Sequence, residues 1–305
     1  MGPALYCLTH QGNIFSDSLV TCLMDFSKIQ ALREMKTWLK CRQEDLRRPL
    51  VWLGHYNEPS AMIIGVQKGG TTALFHTLMQ HKLLQGGYNK ELHFFSDDRI
   101  DHLNDLSRYR AHFKLPAFTA SNTVFMDATP RYSASPLYLE RIRDYQPKMK
   151  LIFVIRDPAK RAYSHWSMNH RRSPQTSQHF VETLSFEQAI LENFERMAQG
   201  ASSSLYTNYI ERGMYLTTIK SILERFPEEQ LLILQNNEIK TWSDETSKRI
   251  QDFLGVPYAP LKSIVRNTNP NPSIPPAEIM TRLQAFYAPH NKALFEHLQM
   301  EPNWS

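Results

Sequence analysis

The stretch "MIIGVQKGGTTALFHTL", from Met62 to Leu78, constrains the fold of this chain more than any other. A short apolar run leads into two glycines and two threonines, and an apolar pattern with helical spacing follows. Glycines accept positive φ angles and leave no Cβ between backbone N–H groups and a ligand, and the start of a helix attracts anions. The stretch therefore predicts a strand, a phosphate-binding loop and a helix, with Lys68 supplying a charge directly before Gly69 and Gly70. An ordinary glycine turn between strand and helix is the alternative interpretation.

Strand-like runs alternate with helical patterns through the middle of the chain. This alternation is typical of α/β proteins and predicts a P-loop-type parallel sheet flanked by helices on both faces. In such a sheet, ligands bind beyond the carboxyl ends of the strands. The predicted strands are residues 61–66, 123–127, 150–156 and 230–235, and the predicted helices are residues 71–80, 136–145, 158–171, 185–198 and 215–225.

Length and composition predict one large α/β domain over residues 61–305, preceded by a helical N-terminal extension over residues 1–60. The longest apolar runs are too short to cross a bilayer, and the first residues lack a signal-peptide pattern. The three cysteines Cys7, Cys22 and Cys41 show no metal-like spacing. We therefore expect free thiols in a reducing compartment and a cytoplasmic protein without a membrane span.

The charge balance favours an anionic ligand but does not require a nucleic-acid partner. The formal net charge is +5 at neutral pH, a modest basic excess. The twelve histidines are scattered, and none joins a cysteine or carboxylate at a spacing typical of zinc sites. We therefore expect no metal site.

A second motif, "LIFVIRDPAKRAYSHW", follows the third strand-like run. The strand ends at Arg156, Asp157 is suited to cap the next helix, and a proline fits the first turn of that helix. Helical spacing places Ser164 on the same face as Asp157, so Arg156 and Ser164 are candidates to hold a second phosphate. A capped helix with surface basic residues is the alternative interpretation.

A third motif, "NKELHFFSDD", places Glu91 among aromatic residues. A partly desolvated carboxylate is a candidate general base, because burial favours the uptake of a proton. An exposed glutamate paired with Lys90 is the alternative. His93 is a second candidate base, since in an extended strand it would lie on the same side as Glu91.

These motifs together carry a resemblance to a known family. With the lysine before the paired glycines, "KELHFF" and "VIRDPAKRAYSHW", the chain resembles sulfotransferases that use 3′-phosphoadenosine 5′-phosphosulfate (PAPS). It is most similar to the branch that contains heparan sulfate sulfotransferases and bacterial relatives. The similarity covers residues 61–304 and includes "ERFPEEQLLILQNNEI", "FLGVP" and "LQAFYAPHNKALFEHLQMEPNWS".

The resemblance implies roles for matching positions. Glu91 would be the catalytic base, and Arg156 and Ser164 would bind the 3′-phosphate. Tyr215 matches a tyrosine near the nucleotide, although helix packing explains it equally well. The acceptor would offer a hydroxyl or amine on a carbohydrate, lipid or small metabolite, and no metal would be needed. The 5′-phosphosulfate would be held by Lys68, Gly69, Gly70, Thr71, Thr72 and Ala73.

The chain also departs from the glycosaminoglycan enzymes that it resembles. Ala128 stands where those enzymes carry a substrate-contacting lysine, and the last third lacks their cysteine pair and their Lys-Gly-Arg loop. The corresponding segment, "SIVRNTNPNPSIPP", offers Arg266 as a replacement contact with the nucleotide. Heparan sulfate is therefore not the expected acceptor. We expect acceptor choice to reside in residues 99–120 and 173–207.

Two other functions compete with this interpretation. The first is a magnesium-dependent P-loop kinase or nucleotide hydrolase, because "TVFMD" resembles a strand that delivers a metal-binding acid at Asp127. Such enzymes place Ser or Thr directly after the loop lysine, which "GVQKGGTT" does not. The second is a noncatalytic nucleotide-binding module, and the joint presence of Lys68, Glu91 and Arg156 argues against it.

Overall fold

The computed structural model describes residues 46–102, 104–172, 180–201, 204–264 and 274–304. Its centre is a five-stranded sheet in the order β2-β3-β1-β4-β5. Every neighbouring pair of strands is parallel, which confirms the predicted α/β class. The strands are β1 Pro59–Gly65, β2 Leu84–Gly86, β3 Val124–Asp127, β4 Lys150–Ile155 and β5 Leu231–Gln235.

Helices connect the strands and follow the last one. A helical segment at residues 46–52 precedes β1. The helices that the structure bounds are α1 Thr71–Leu78, α2 Leu106–Arg110, α3 Pro136–Tyr145, α4 Pro158–His170, α5 Phe186–Ala198, α6 Tyr215–Leu223, α7 Asn236–Thr241, α8 Asp244–Leu254 and α9 Ala277–Leu298.

Strand β4 shows how the sheet is buried on both faces. Phe153 and Ile155 pack into one hydrophobic cluster, together with residues of α3, α6 and α9. The alternate residues Ile152 and Val154 pack into a second cluster with α1 and α8. Successive side chains of a strand point to opposite faces, so one continuous apolar run serves both clusters. The predicted helices on both faces are thereby confirmed.

A third hydrophobic cluster lies away from the sheet and fixes the position of α4. Ala162 of α4 packs there with Ile190 of α5 and with Leu283 and Tyr287 of α9. Because α5 and α9 cover one side of α4, the other side of this helix is left to face the carboxyl ends of the strands.

The sequence predicted nine elements closely but missed one strand and the helices α2, α7, α8 and α9. The four predicted strands and five predicted helices all occur, with ends that differ by at most a few residues. Strand β2 was not predicted because Leu84–Gly86 has only three residues and its ladder depends on pairing with β3. Most of the predicted N-terminal extension lies outside the described residues, so its helical character and its boundary stay predictions. Among the described helices, none combines the length and apolarity needed to cross a membrane.

Candidate active site

A cleft of about 780 Å³ opens beyond the carboxyl ends of β1, β4 and β5, where ligands bind in parallel sheets. Its walls come from the loop after β1, the start of α1, one side of α4 and the start of α7. Among the described lining residues, six side chains are cationic and one, Glu91, is a carboxylate. The cations are Lys68, Arg156, Lys160, Arg171, Arg172 and Lys240.

The loop between β1 and α1 is tied to the end of β4 and folds into a tight turn. The N–H of Val66 donates to the carbonyl of Val154 (3.0 Å), and the N–H of Gly69 donates to the carbonyl of Val66 (2.9 Å). Lys68 and Gly70 have φ angles of 72° and 104°. The left-handed conformation at Gly70 is easy for glycine, whereas at Lys68 it costs about 1–2 kcal/mol.

The two glycines of this loop are required by close packing. A Cβ on Gly69 would lie 2.8 Å from the Val154 carbonyl oxygen, and a Cβ on Gly70 would lie 2.5 Å from the Asn236 amide nitrogen. Asn236, at the start of α7, donates to the Gly69 carbonyl (2.6 Å). Because the Gly69 N–H is used inside the turn and Gly69 does not line the cleft, this residue shapes the loop.

The first turn of α1 forms part of the wall of the cleft. Gly70, Thr71, Thr72 and Ala73 line the cleft there. The first N–H groups of a helix have no partner within the helix, and the helix dipole adds positive potential at the same place. The turn contains no acidic side chain. The structure thus brings these four residues to the cleft, and their predicted binding of a phosphate stays a prediction.

Lys68 adds a half-buried ammonium group to this end of the cleft. Burial lowers the pKa of Lys68 to about 8, with further lowering by the positive charges of Arg156 and Arg171. The carboxylate of Glu91 acts in the opposite direction but does not compensate. A bound anion would favour the charged form of Lys68, so this part of the cleft is suited to an anion.

A second cationic group lies where β4 meets α4. Arg156 donates from Nη1 to the Lys68 carbonyl (3.0 Å), and burial lowers the pKa of Arg156. The Asp157 side chain caps α4 by accepting from the Lys160 N–H (2.8 Å). Ser164, two turns into α4, lines the same cleft. The structure thus brings Arg156 and Ser164 together on one cleft, as the sequence predicted.

Lys240 of α7 extends this second group and was not found by sequence reasoning. Burial lowers the pKa of Lys240, with added lowering by Arg156 and Lys160, so the three cations lie near one another. A lysine within "NNEIKTW" carries no local signal of ligand binding. The rule that ligands bind after strands, applied to β5, would have indicated this segment.

Tyr215 supports Arg156 from behind and does not line the cleft. Its hydroxyl donates to the Arg156 carbonyl (2.7 Å), and its ring packs edge-to-face on Phe153 (6.1 Å between centroids). The side chain is buried. The helix-packing alternative for Tyr215 therefore describes its position better than a direct contact with a ligand.

Glu91 lies on the edge of the cleft in a setting that differs from the prediction. Its carboxylate forms an ion pair with Lys90 and is 39% exposed. Phe94 and Phe95 are buried in the main hydrophobic cluster, so they do not enclose the carboxylate as expected. Glu91 is nevertheless the acidic residue that faces the cleft.

His93 lies beside Glu91 but does not line the cleft. The imidazole Nε2 is 3.8 Å from the Glu91 carboxylate. The φ angles are 64° at Glu91 and 57° at His93, so the segment is not the extended strand on which the prediction for His93 relied. The extended conformation assumed for this segment was wrong, because two left-handed residues replace it, although the two side chains do lie side by side.

Asp127 does not form the metal site that a magnesium-dependent enzyme needs. It is fully buried and accepts hydrogen bonds from the hydroxyls of Thr129 (2.8 Å), Tyr132 (2.8 Å) and Tyr109 (3.3 Å). Burial raises its pKa despite these bonds. In the part of the chain that the structure describes, no group of three or more His, Cys, Asp or Glu side chains is arranged to hold a metal. Arg266, the predicted contact with the nucleotide, lies outside the described residues, so its role stays a prediction.

A parallel sheet with a glycine loop, a helix start and several cations at the carboxyl ends of its strands is typical of proteins that bind phosphorylated ligands. The model of the sulfotransferase domain family matches residues 58–272, which is most of the chain. The chain belongs to this family and is a sulfotransferase enzyme.

Several curated proteins are similar to this chain along most of its length. Heparan sulfate glucosamine 3-O-sulfotransferase 6 of Mus musculus is 26% identical over 82% of this chain and 75% of that protein. Heparan sulfate glucosamine 3-O-sulfotransferase 3B1 of Mus musculus is 27% identical over 81% of this chain, which spans 65% of that protein's length. The crystal structure of a sulfotransferase from Alicyclobacillus acidocaldarius has a similar fold, with a TM-score of 0.63 and 23% identity over 81% of this chain and 98% of that one.

Proposed function

We propose that this enzyme transfers a sulfuryl group from PAPS to a hydroxyl or amine of an acceptor, with Glu91 as general base. The proposal rests on one observation: among the described residues, cationic groups around Lys68 and around Arg156 line the same cleft as one carboxylate, Glu91. PAPS carries its negative charge at two ends, the 3′-phosphate and the 5′-phosphosulfate. The arrangement of the cleft fits that distribution of charge.

The donor would be held along the floor of the cleft. The 5′-phosphosulfate fits the start of α1 and Lys68, and the 3′-phosphate fits Arg156 and Ser164, where a guanidinium and a hydroxyl are both available. Apolar and aromatic lining residues offer faces for the adenine ring. They are Tyr163, Ile239, Ile264 and Met280.

The reaction would proceed by in-line displacement at sulfur. Glu91 takes the proton of the attacking hydroxyl or amine as the new bond to sulfur forms. The bond between sulfur and the bridging oxygen breaks, and negative charge accumulates on the 5′-phosphate. Lys68 and the N–H groups of α1 are placed to stabilise that charge. This chemistry needs no metal ion.

The names of the relatives favour a carbohydrate acceptor, since both are heparan sulfate enzymes. Position 128 argues against heparan sulfate itself, because Ala128 is buried and offers no charge to the cleft. We therefore retain the wider class of carbohydrates, lipids and small metabolites, with residues 99–120 and 173–207 as the segments that choose among them. We propose a cytoplasmic location from the sequence alone. The three cysteines on which this expectation relies lie outside the described residues.

Isothermal titration calorimetry with 3′-phosphoadenosine 5′-phosphate (PAP) and with magnesium ATP tests the proposal. We expect tight binding of PAP that persists in EDTA, and weaker binding of ATP. Preference for ATP, or loss of PAP binding in EDTA, would contradict the proposed donor and favour a magnesium-dependent nucleotide enzyme.

A further inference from the structure

The segment that carries Glu91 adopts a backbone conformation that its own sequence does not favour. Glu91 and His93 both have positive φ angles, and neither is glycine. Such residues cost about 1–2 kcal/mol each and persist where the surrounding structure holds them. With the Glu91 side chain partly exposed, burial of that side chain does not supply the restraint.

The buried hydroxyl of Thr129 contacts the segment that carries Glu91. Thr129, which is fully buried, accepts a hydrogen bond at Oγ1 from the backbone N–H of His93 (3.4 Å). The same hydroxyl donates to Asp127 Oδ1 (2.8 Å). A hydroxyl has one proton and two lone pairs, so donating to Asp127 leaves a lone pair for the His93 N–H.

Asp127 is what fixes the direction of that hydroxyl. The Thr129 hydroxyl donates to Asp127 Oδ1, which leaves its lone pairs for the His93 N–H. The hydroxyl of Tyr132 (2.8 Å) also donates to Asp127, and all three side chains are fully buried. Tyr109 donates to the same carboxylate (3.3 Å), so hydrogen bonds from three hydroxyls restrain Asp127.

The residues that follow Thr129 also lie beside the loop that carries Lys68, between β1 and α1. We call it the donor loop because of its proposed role in binding PAPS. Pro130 lines the cleft, and Ser133 packs so closely on Gly65 that a Cβ at position 65 would collide with the Ser133 Oγ. Gly65 ends β1, directly before the loop that carries Lys68. Residues 127–133 therefore lie between the donor loop and the segment that carries Glu91.

We propose that Asp127 is a positioning residue, which acts through Thr129 to hold Glu91 at a fixed place relative to Lys68. The inference rests on the proposed role of Glu91 as the base. It assigns to the buried carboxylate at the end of β3 a function in the reaction without contact with substrate. Proton transfer is sensitive to such placement, since a shift of about 1 Å costs about a hundredfold in rate.

Hydrogen exchange measured by mass spectrometry tests the support without any substrate. In Thr129→Val, which keeps the shape and removes the hydroxyl, we expect amides of the peptide spanning residues 91–95 to exchange about fivefold to tenfold faster. Thr129→Ser should restore slow exchange. Thr246→Val removes the side-chain hydroxyl that lies 3.1 Å from the Ser243 Oγ in α8 and is the matched control, with no change at residues 91–95. Unchanged exchange in Thr129→Val would overturn the proposal.

Turnover then separates positioning from general stability. The assay is conversion of PAPS to PAP with water as the acceptor, alongside PAP binding by calorimetry. We expect Thr129→Val and Asp127→Asn to lower turnover about ten- to a hundredfold with PAP affinity kept, and to have no further effect in Glu91→Gln protein. An equal loss in both backgrounds would overturn the proposal. Failure of PAP to bind to the unaltered enzyme would instead contradict the proposed function, and the exchange result would still decide the role of Thr129.

Discussion

The lowered pKa of Lys68 makes donor binding depend on pH in a defined direction. The free enzyme has a Lys68 pKa of about 8, lowered by burial and by neighbouring arginines. A bound phosphate favours the charged lysine, so the pKa must be higher in the complex. Binding then takes up protons above about pH 8, and affinity falls as the pH rises. From about pH 7 to about pH 9 the expected loss is about tenfold, because the charged fraction of the free lysine falls to about one tenth.

Isothermal titration calorimetry of PAP binding across this pH range is the assay. Repeating the titration near pH 9 in buffers of different ionisation enthalpy should show an uptake of about one proton. Lys68→Arg is the matched control, because a guanidinium stays charged throughout and should remove most of the pH dependence. Equal pH dependence in both proteins would show that the group whose titration controls binding is not Lys68.

Three further predictions concern single residues of the site. Arg156→Ala should weaken binding of PAP by about 1.5–3 kcal/mol more than binding of the nucleotide without its 3′-phosphate, and equal losses would place Arg156 elsewhere. Glu91→Gln should keep PAP affinity and lower the rate of sulfuryl transfer by about 10² to 10⁴. Lys68→Ala should lower both the affinity and the rate, and calorimetry with initial-rate measurements distinguishes the two variants. Gly69→Ala should lower the midpoint of thermal unfolding and abolish PAP binding, because the added Cβ collides with two backbone carbonyls; a protein that folds and binds normally would contradict the close packing.

The fold was largely predictable because local pattern and tertiary structure agree. The apolar run of β4 is long enough to serve both faces of the sheet, and α4 begins with an Asp157 cap and a proline that fix its start. Strand β2 has too few residues to give a pattern of its own, and its existence depends on β3. A strand of that kind is visible only once the sheet has been assembled.

The site was predictable where it lies directly after a strand and less so elsewhere. Lys68 and Arg156 follow β1 and β4, so one topological rule placed both. Arg171 and Arg172, at the far end of α4, reach the cleft through tertiary packing that no local motif records. The setting of Glu91 was mispredicted because Glu91 and His93 take left-handed conformations, which non-glycine residues do not signal in a sequence.

Transfer of radiolabelled sulfuryl groups from PAPS is a direct test of the proposed reaction. Purified enzyme would be incubated with labelled PAPS and panels of carbohydrate, lipid and small-metabolite acceptors in the presence of EDTA. We expect labelled product and an equal amount of PAP, with both reduced about 10² to 10⁴ in Glu91→Gln. Labelled product formed equally well by Glu91→Gln, or transfer that requires a divalent metal, would contradict the proposed reaction.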